Sequence, residues 1–234
     1  MYLYDFVWAN KEVFKLAYTL IIGIICFLIV LRTHWLFKIS SHQGIRYFRN
    51  AFFFYGLAFV MRYFLGIFYF LEEPYWLYQF LMRGVFEFFL IMAGFSLLYS
   101  LVWKKFEPER GIHSSLFNLR FAIFYLLALI VVILDYLWET YFFMFLLQII
   151  LFIPASIISY AKYRKSKGNG LLRLYFVVIV LNLLAWVANF LVATFFNWQR
   201  EGVISIYVLN ILIFFLFLYG VMNATKKPKK TKNG

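Results

Sequence analysis

The chain has 234 residues, 65% of them hydrophobic and 24% aromatic, with a net charge of +13. Soluble domains run nearer about 45–50% apolar, and the 14% of charged residues here is too little to solvate a globule of this size. That excludes a water-soluble module of useful length, and because the basic residues flank apolar runs, it excludes a nucleic-acid binder in favour of a membrane protein.

Seven apolar stretches are predicted to cross the bilayer as helices. They cover Val13–Leu31, Tyr47–Leu71, Trp76–Ser100, Leu116–Leu134, Trp138–Tyr160, Leu172–Phe196 and Val203–Val221. Each is near the ~20 residues that a roughly 30 Å hydrocarbon slab requires. The runs are continuously apolar rather than alternating, so helices are expected and not barrel strands. The first stretch follows Asp5, Lys11 and Glu12 and lacks a basic leader, so it reads as a retained span.

Lysine and arginine are divided unevenly between the two sets of connections. One side holds 18, counting Arg32, the Lys104–Lys105 pair, the Lys162–Arg173 cluster and the C-terminal lysines; the other holds Lys11, Lys15 and Arg200. The positive-inside rule places the rich side in the cytoplasm, so the N-terminus is expected outside and the C-terminus inside. Trp8, Trp76, Trp138 and Trp198 at the outer ends, and Trp35 and Trp103 at the inner ends, fit an interfacial aromatic belt. The expected organisation is one transmembrane domain over residues 1–223 and a disordered basic cytoplasmic tail over 224–234. The localisation expected is the cell membrane, multi-pass. Anionic lipid headgroups are the expected partners of the inner loops and tail.

The entry to the second stretch can be laid on that of the sixth with an offset of 126 residues. Gly44 then meets Gly170, Phe64 meets Phe190, Leu65 meets Leu191 and Phe70 meets Phe196. The first three and last three stretches would form parallel halves, with the fourth as a linker. Parallel repeats of this kind build some carriers.

Arg62, Arg83 and Glu87 lie at membrane depth on the second and third stretches. Such groups cost about 2.5–3.5 kcal/mol each on insertion scales and turn toward protein or trapped water. Arg62 and Glu87 differ in depth by about 4–5 Å at 1.5 Å per residue. Arg83 and Glu87 are i,i+4 neighbours. One carboxylate between two guanidiniums is expected, either as an ion-pair clasp between the second and third stretches or as a site for an anionic or polar solute. A proton relay at Glu87 is the remaining reading of the trio.

A second, uncharged group consists of Asn182, Trp186 and Asn189 on one face of the sixth stretch, with Gln148 in the fifth and Asn210 in the seventh. Buried amides join neighbouring helices, or they line a cavity in which Trp186 stacks on a ligand. Pro154 can loosen the fifth helix beside it.

No metal-ligand spacing, paired aspartates or hydrolytic motif occurs, so no catalytic role, metal or cofactor is expected. Cys26 is the one cysteine. The leading expectation is a small transporter of a polar or anionic solute. Two other classes fit the same sequence: a receptor-like or sensory seven-helix module signalling through partner proteins, and a non-catalytic subunit of a membrane complex or homo-oligomer.

Overall fold

The computed structural model describes residues 11–68, 75–106, 119–166, 169–195 and 200–225. They form seven helices: α1 (Lys11–Ser40), α2 (Gln43–Phe68), α3 (Tyr75–Phe106), α4 (Leu119–Leu137), α5 (Phe142–Lys165), α6 (Gly170–Phe195) and α7 (Arg200–Ala224). Hydrocarbon offers backbone groups no partners, so continuous apolar runs close their hydrogen bonds along their own axis. The protein is an all-α membrane bundle. Residues 226–234 of the predicted tail, together with Trp8 and Trp198 of the predicted aromatic belt, lie outside the described residues.

Among the described residues, five helices, α1, α3, α5, α6 and α7, contain segments long and apolar enough to span a bilayer. The apolar part of α4 is shorter, Phe121–Leu137. Helix α2 is held between α1 and α3, with Tyr47, Ala51, Phe52, Tyr55 and Ala58 buried.

Large apolar side chains cover the outside. Leu20, Ile24, Phe27 and Leu31 on α1, Leu126, Ile130 and Ile133 on α4, and Leu212, Phe215 and Tyr219 on α7 are exposed. In water so large a belt would drive association. Against acyl chains it is the surface that bilayer contact requires.

Helices α1, α2, α3, α5, α6 and α7 pack in that order into a closed ring, with α7 returning to α1. Helix α4 lies outside the ring against α3 and α5. The order matches two three-helix halves joined by a linker, since each half keeps its own sequential contacts and meets the other at two seams, α3–α5 and α7–α1.

The α3–α5 seam is tied along its length. Gln148 Nε2 donates to Leu90 O at 2.9 Å in a fully buried site, and Lys162 Nζ donates to Leu101 O at 2.7 Å. Gly94 permits this approach, because a Cβ there would lie 2.5 Å from Gln148 Oε1. Gly94→Val is therefore expected to cost about 1–3 kcal/mol through overpacking. Most of that loss should return in the Gly94→Val, Gln148→Ala double variant, read as thermal stability in detergent. Simple addition of the two losses would show that the glycine is not there for Gln148.

The helices run past several predicted ends on the basic side: α1 continues to Ser40, α3 to Phe106 and α5 to Lys165. Long Lys and Arg stems can lie along an apolar surface while their heads reach water, so a helix need not stop where its charges begin. Helix α5 also continues through Pro154. His42, in the connection between α1 and α2, lies edge-on to Trp103 at 5.0 Å. Burial, then the charges of Lys104 and Lys162, hold the pKa of its imidazole below the usual histidine value.

Candidate functional site

A cavity of about 740 Å³ lies inside the six-helix ring. Its described lining comes from α1, α2, α3, α5, α6 and α7, and none of it from α4. The lining residues sit toward the starts of α1, α3, α5 and α7 and the later halves of α2 and α6. In an up-and-down bundle those ends share one side, the side whose connections are poor in lysine and arginine. The cavity reaches from there to mid-depth.

Its floor is aromatic. Tyr55 packs edge-on against Phe214 at 5.4 Å. One turn deeper, Phe52 meets Phe214 at 5.9 Å and Phe217 at 4.9 Å. Phe48 lies a further turn down, against Phe52, Phe217 and Tyr175. Phe52 is fully buried, so these rings separate the cavity from the basic side of the bundle.

Five of the residues expected at a site line this cavity: Arg62, Asn182, Trp186, Asn189 and Asn210. The spacing of four and three that puts Asn182, Trp186 and Asn189 on one face of α6 recurs on α2 as Tyr55, Phe59 and Arg62, which also line it. A shift of 127 residues carries one trio onto the other. The same shift carries Phe14, Ala17 and Tyr18 of α1 onto Tyr141, Met144 and Phe145 of α5, and all six line the cavity. The first two helices of each half therefore present equivalent positions to it, whereas Phe86 and Leu90 of α3 have no counterparts on the wall from α7 at this shift. The register is one residue longer than the sequence match of 126 suggested, a difference of about 100° around a helix.

The groups on the wall differ in their hydrogen bonding. Asn189 Nδ2 donates to Ala185 O in its own helix at 2.8 Å. Asn210 Nδ2 donates to the Tyr18 hydroxyl at 3.3 Å, and Tyr18 stacks on Tyr207 at 4.4 Å, so these side chains bridge the α1–α7 seam. The Tyr55 hydroxyl lies near enough to Asn182 and Trp186 to interact with both, but among the described residues neither it nor Trp186 Nε1 makes a hydrogen bond of good distance and angle. Lys15 and Arg62 supply positive charge, and no acidic residue appears among the described lining residues. Arg62 is exposed, with its guanidinium 4.5 Å from the Phe86 ring centre.

Arg83, Glu87 and Gln148 are not on the described cavity wall. Arg83 Nε donates to Glu87 Oε1 at 2.8 Å, and its Nη2 donates to Asp135 O at 3.1 Å. Its guanidinium lies 4.0 Å from the Tyr141 ring centre. The expected clasp between the second and third stretches is thus a junction of α3, α4 and α5, while the Arg62 guanidinium lies over the neighbouring Phe86 ring. The cause is rotation: Phe86 faces the cavity, and Glu87 is turned about 100° away from it.

Sequence reading did not single out Asp135 as part of this junction. Its fully buried carboxylate accepts the Phe143 and Met144 N–H groups at 2.9 and 2.7 Å and caps the start of α5. An Asp just before an apolar run was the available signal. Tyr55, Phe59 and Lys15 were also missed, and the repeated four-and-three spacing on α2 could have found the first two.

The chain is 24% identical over 220 residues to an uncharacterized protein of Archaeoglobus fulgidus, covering 88% of this chain and 89% of the relative. No family model matches the chain, and no solved structure matches it.

Proposed function

We propose that the protein is a small carrier of a polar or anionic solute, without catalytic activity, residing in the cell membrane. Its solute would bind at mid-depth in the six-helix cavity. The observation that carries this reading is the cavity's position at the joint between two three-helix halves whose first two helices present matching positions to it, reaching one side and stopped from the other by aromatic rings. Sites of parallel-repeat carriers lie at such joints, and rocking one half against the other exposes them alternately. Positive charge from Lys15 and Arg62, with no acid on the described wall, selects against cations.

The test is uptake by proteoliposomes of a panel of organic and inorganic anions, with Arg62→Gln beside the wild type. Arg62 is exposed, so the variant should melt within a few degrees of wild type while its KM for the transported anion rises about tenfold, the equivalent of roughly 1.4 kcal/mol. Binding without flux would favour the sensory class. If the folded, reconstituted protein shows no binding and no flux of any anion in the panel, the carrier reading falls.

A further inference from the structure

The cavity holds two kinds of anion-friendly group at two depths. Arg62 is exposed near its mouth, and Lys15 also lines it. Tyr55 and Trp186 lie at and just above its floor, each nine-tenths or more buried, and the Tyr55 hydroxyl and Trp186 Nε1, though near each other, make no well-formed hydrogen bond among the described residues. An indole N–H can only donate. Burying such a donor without an acceptor is costly, so the floor asks for an oxygen from whatever fills the cavity.

Tyr55 and Arg62 are seven residues apart on α2, which is about 10 Å along the axis. Asn182 and Asn189 mark the same two levels on α6. Between them the wall is apolar and largely aromatic, formed by Tyr18, Phe59, Phe86, Met144 and Phe145. Flat rings favour stacked or edge-on contact with another flat group. A cavity of about 740 Å³ falls within the ~300–1,000 Å³ that hold drug-sized molecules.

Taking the carrier reading as its premise, the geometry points to a specific substrate class: an elongated organic oxyanion with its charged end near Arg62, a flat apolar body, and a hydrogen-bond-accepting oxygen about 10 Å away that meets Tyr55 and Trp186. A small inorganic anion would satisfy one level and leave the other empty. A plain hydrocarbon acid would leave the floor donors unpaired.

The experiment measures binding to the purified full-length protein in nanodiscs by calorimetry. The probes are 4-hydroxycinnamate, cinnamate without the hydroxyl, 4-hydroxycinnamyl alcohol without the charge, acetate and inorganic phosphate. The expected result is that 4-hydroxycinnamate binds about tenfold or more tightly than each of the others. Tyr55→Phe and Trp186→Phe remove the floor's O–H and N–H, and should erase the preference for 4-hydroxycinnamate over cinnamate, read as the ratio of the two affinities within each variant. Arg62→Gln should erase the preference for the carboxylate over the alcohol.

Acetate or phosphate binding as tightly as the long probe would overturn the two-level substrate while leaving an anion carrier in place. Equal binding of the alcohol would overturn the charged end. Failure of all five probes to bind overturns this substrate class. The uptake panel then tells whether the carrier reading falls with it, because flux of some other anion keeps that reading alive.

Discussion

Arg83→Met should lower the apparent melting temperature in detergent by about 6–20 °C. The estimate follows from about 3–5 kcal/mol for stripping the partner from a buried charge, at about 2–4 °C per kcal/mol for a chain of this size. Glu87 is only 1% exposed, and its one ion-pair partner among the described residues is Arg83, at 2.8 Å. Its second oxygen has no described partner. The same guanidinium also serves the Asp135 carbonyl and the Tyr141 ring, so its loss loosens α3, α4 and α5 together.

Glu87→Gln should be milder. A glutamine oxygen still accepts from Arg83, and Arg83, at 20% exposure, keeps the carbonyl, the ring and some access to polar surroundings. The double variant, neutral at both positions, should recover much of the Arg83→Met loss, since neutral replacements of buried pairs are often tolerated. An Arg83→Met protein that melts with the wild type but has lost uptake would contradict a structural junction and return these residues to the transport site.

Phe52→Ala should have a comparable effect on stability and a second effect on permeability. Removing a fully buried phenylalanine costs about 3–5 kcal/mol, part of it for the void left behind. Here the void would open directly beneath the cavity, because Phe52 joins Tyr55, Phe214 and Phe217 into the floor. Vesicles preloaded with the transported anion should therefore leak it through the variant even with no solute to exchange. Phe52→Leu, which keeps most of the volume, should leak far less. A destabilised Phe52→Ala protein that stays tight would show that these rings are not the barrier between the two sides.

The positions of the charges were legible in the chain, and their partners were not. Arg83 and Glu87 pair as i,i+4 neighbours, a relation that any helix enforces. Arg62 and Glu87 were placed at nearly the same depth, but depth along an axis says nothing of rotation about it. Asn182, Trp186 and Asn189 share a face by spacing alone and do line one cavity. Gln148 has the same chemistry and became a seam contact, because Leu90 O and the bare backbone of Gly94 stand opposite it.

By itself, the sequence determined that the chain is helical, that it lives in a bilayer, and roughly where each rod begins and ends. Those properties depend on the length and polarity of a continuous run, which is local information. Only the tertiary structure decided that six helices close a ring with α4 outside, that α1 and α2 match α5 and α6 at a shift of 127, and that Tyr55 and Trp186 share a floor with Phe214. Each of those depends on how a helix is turned against neighbours far away in the chain, and a change of one residue moves a side chain about 100° around its axis. In helices that are apolar nearly all the way round, no polar face marks the correct turn in advance.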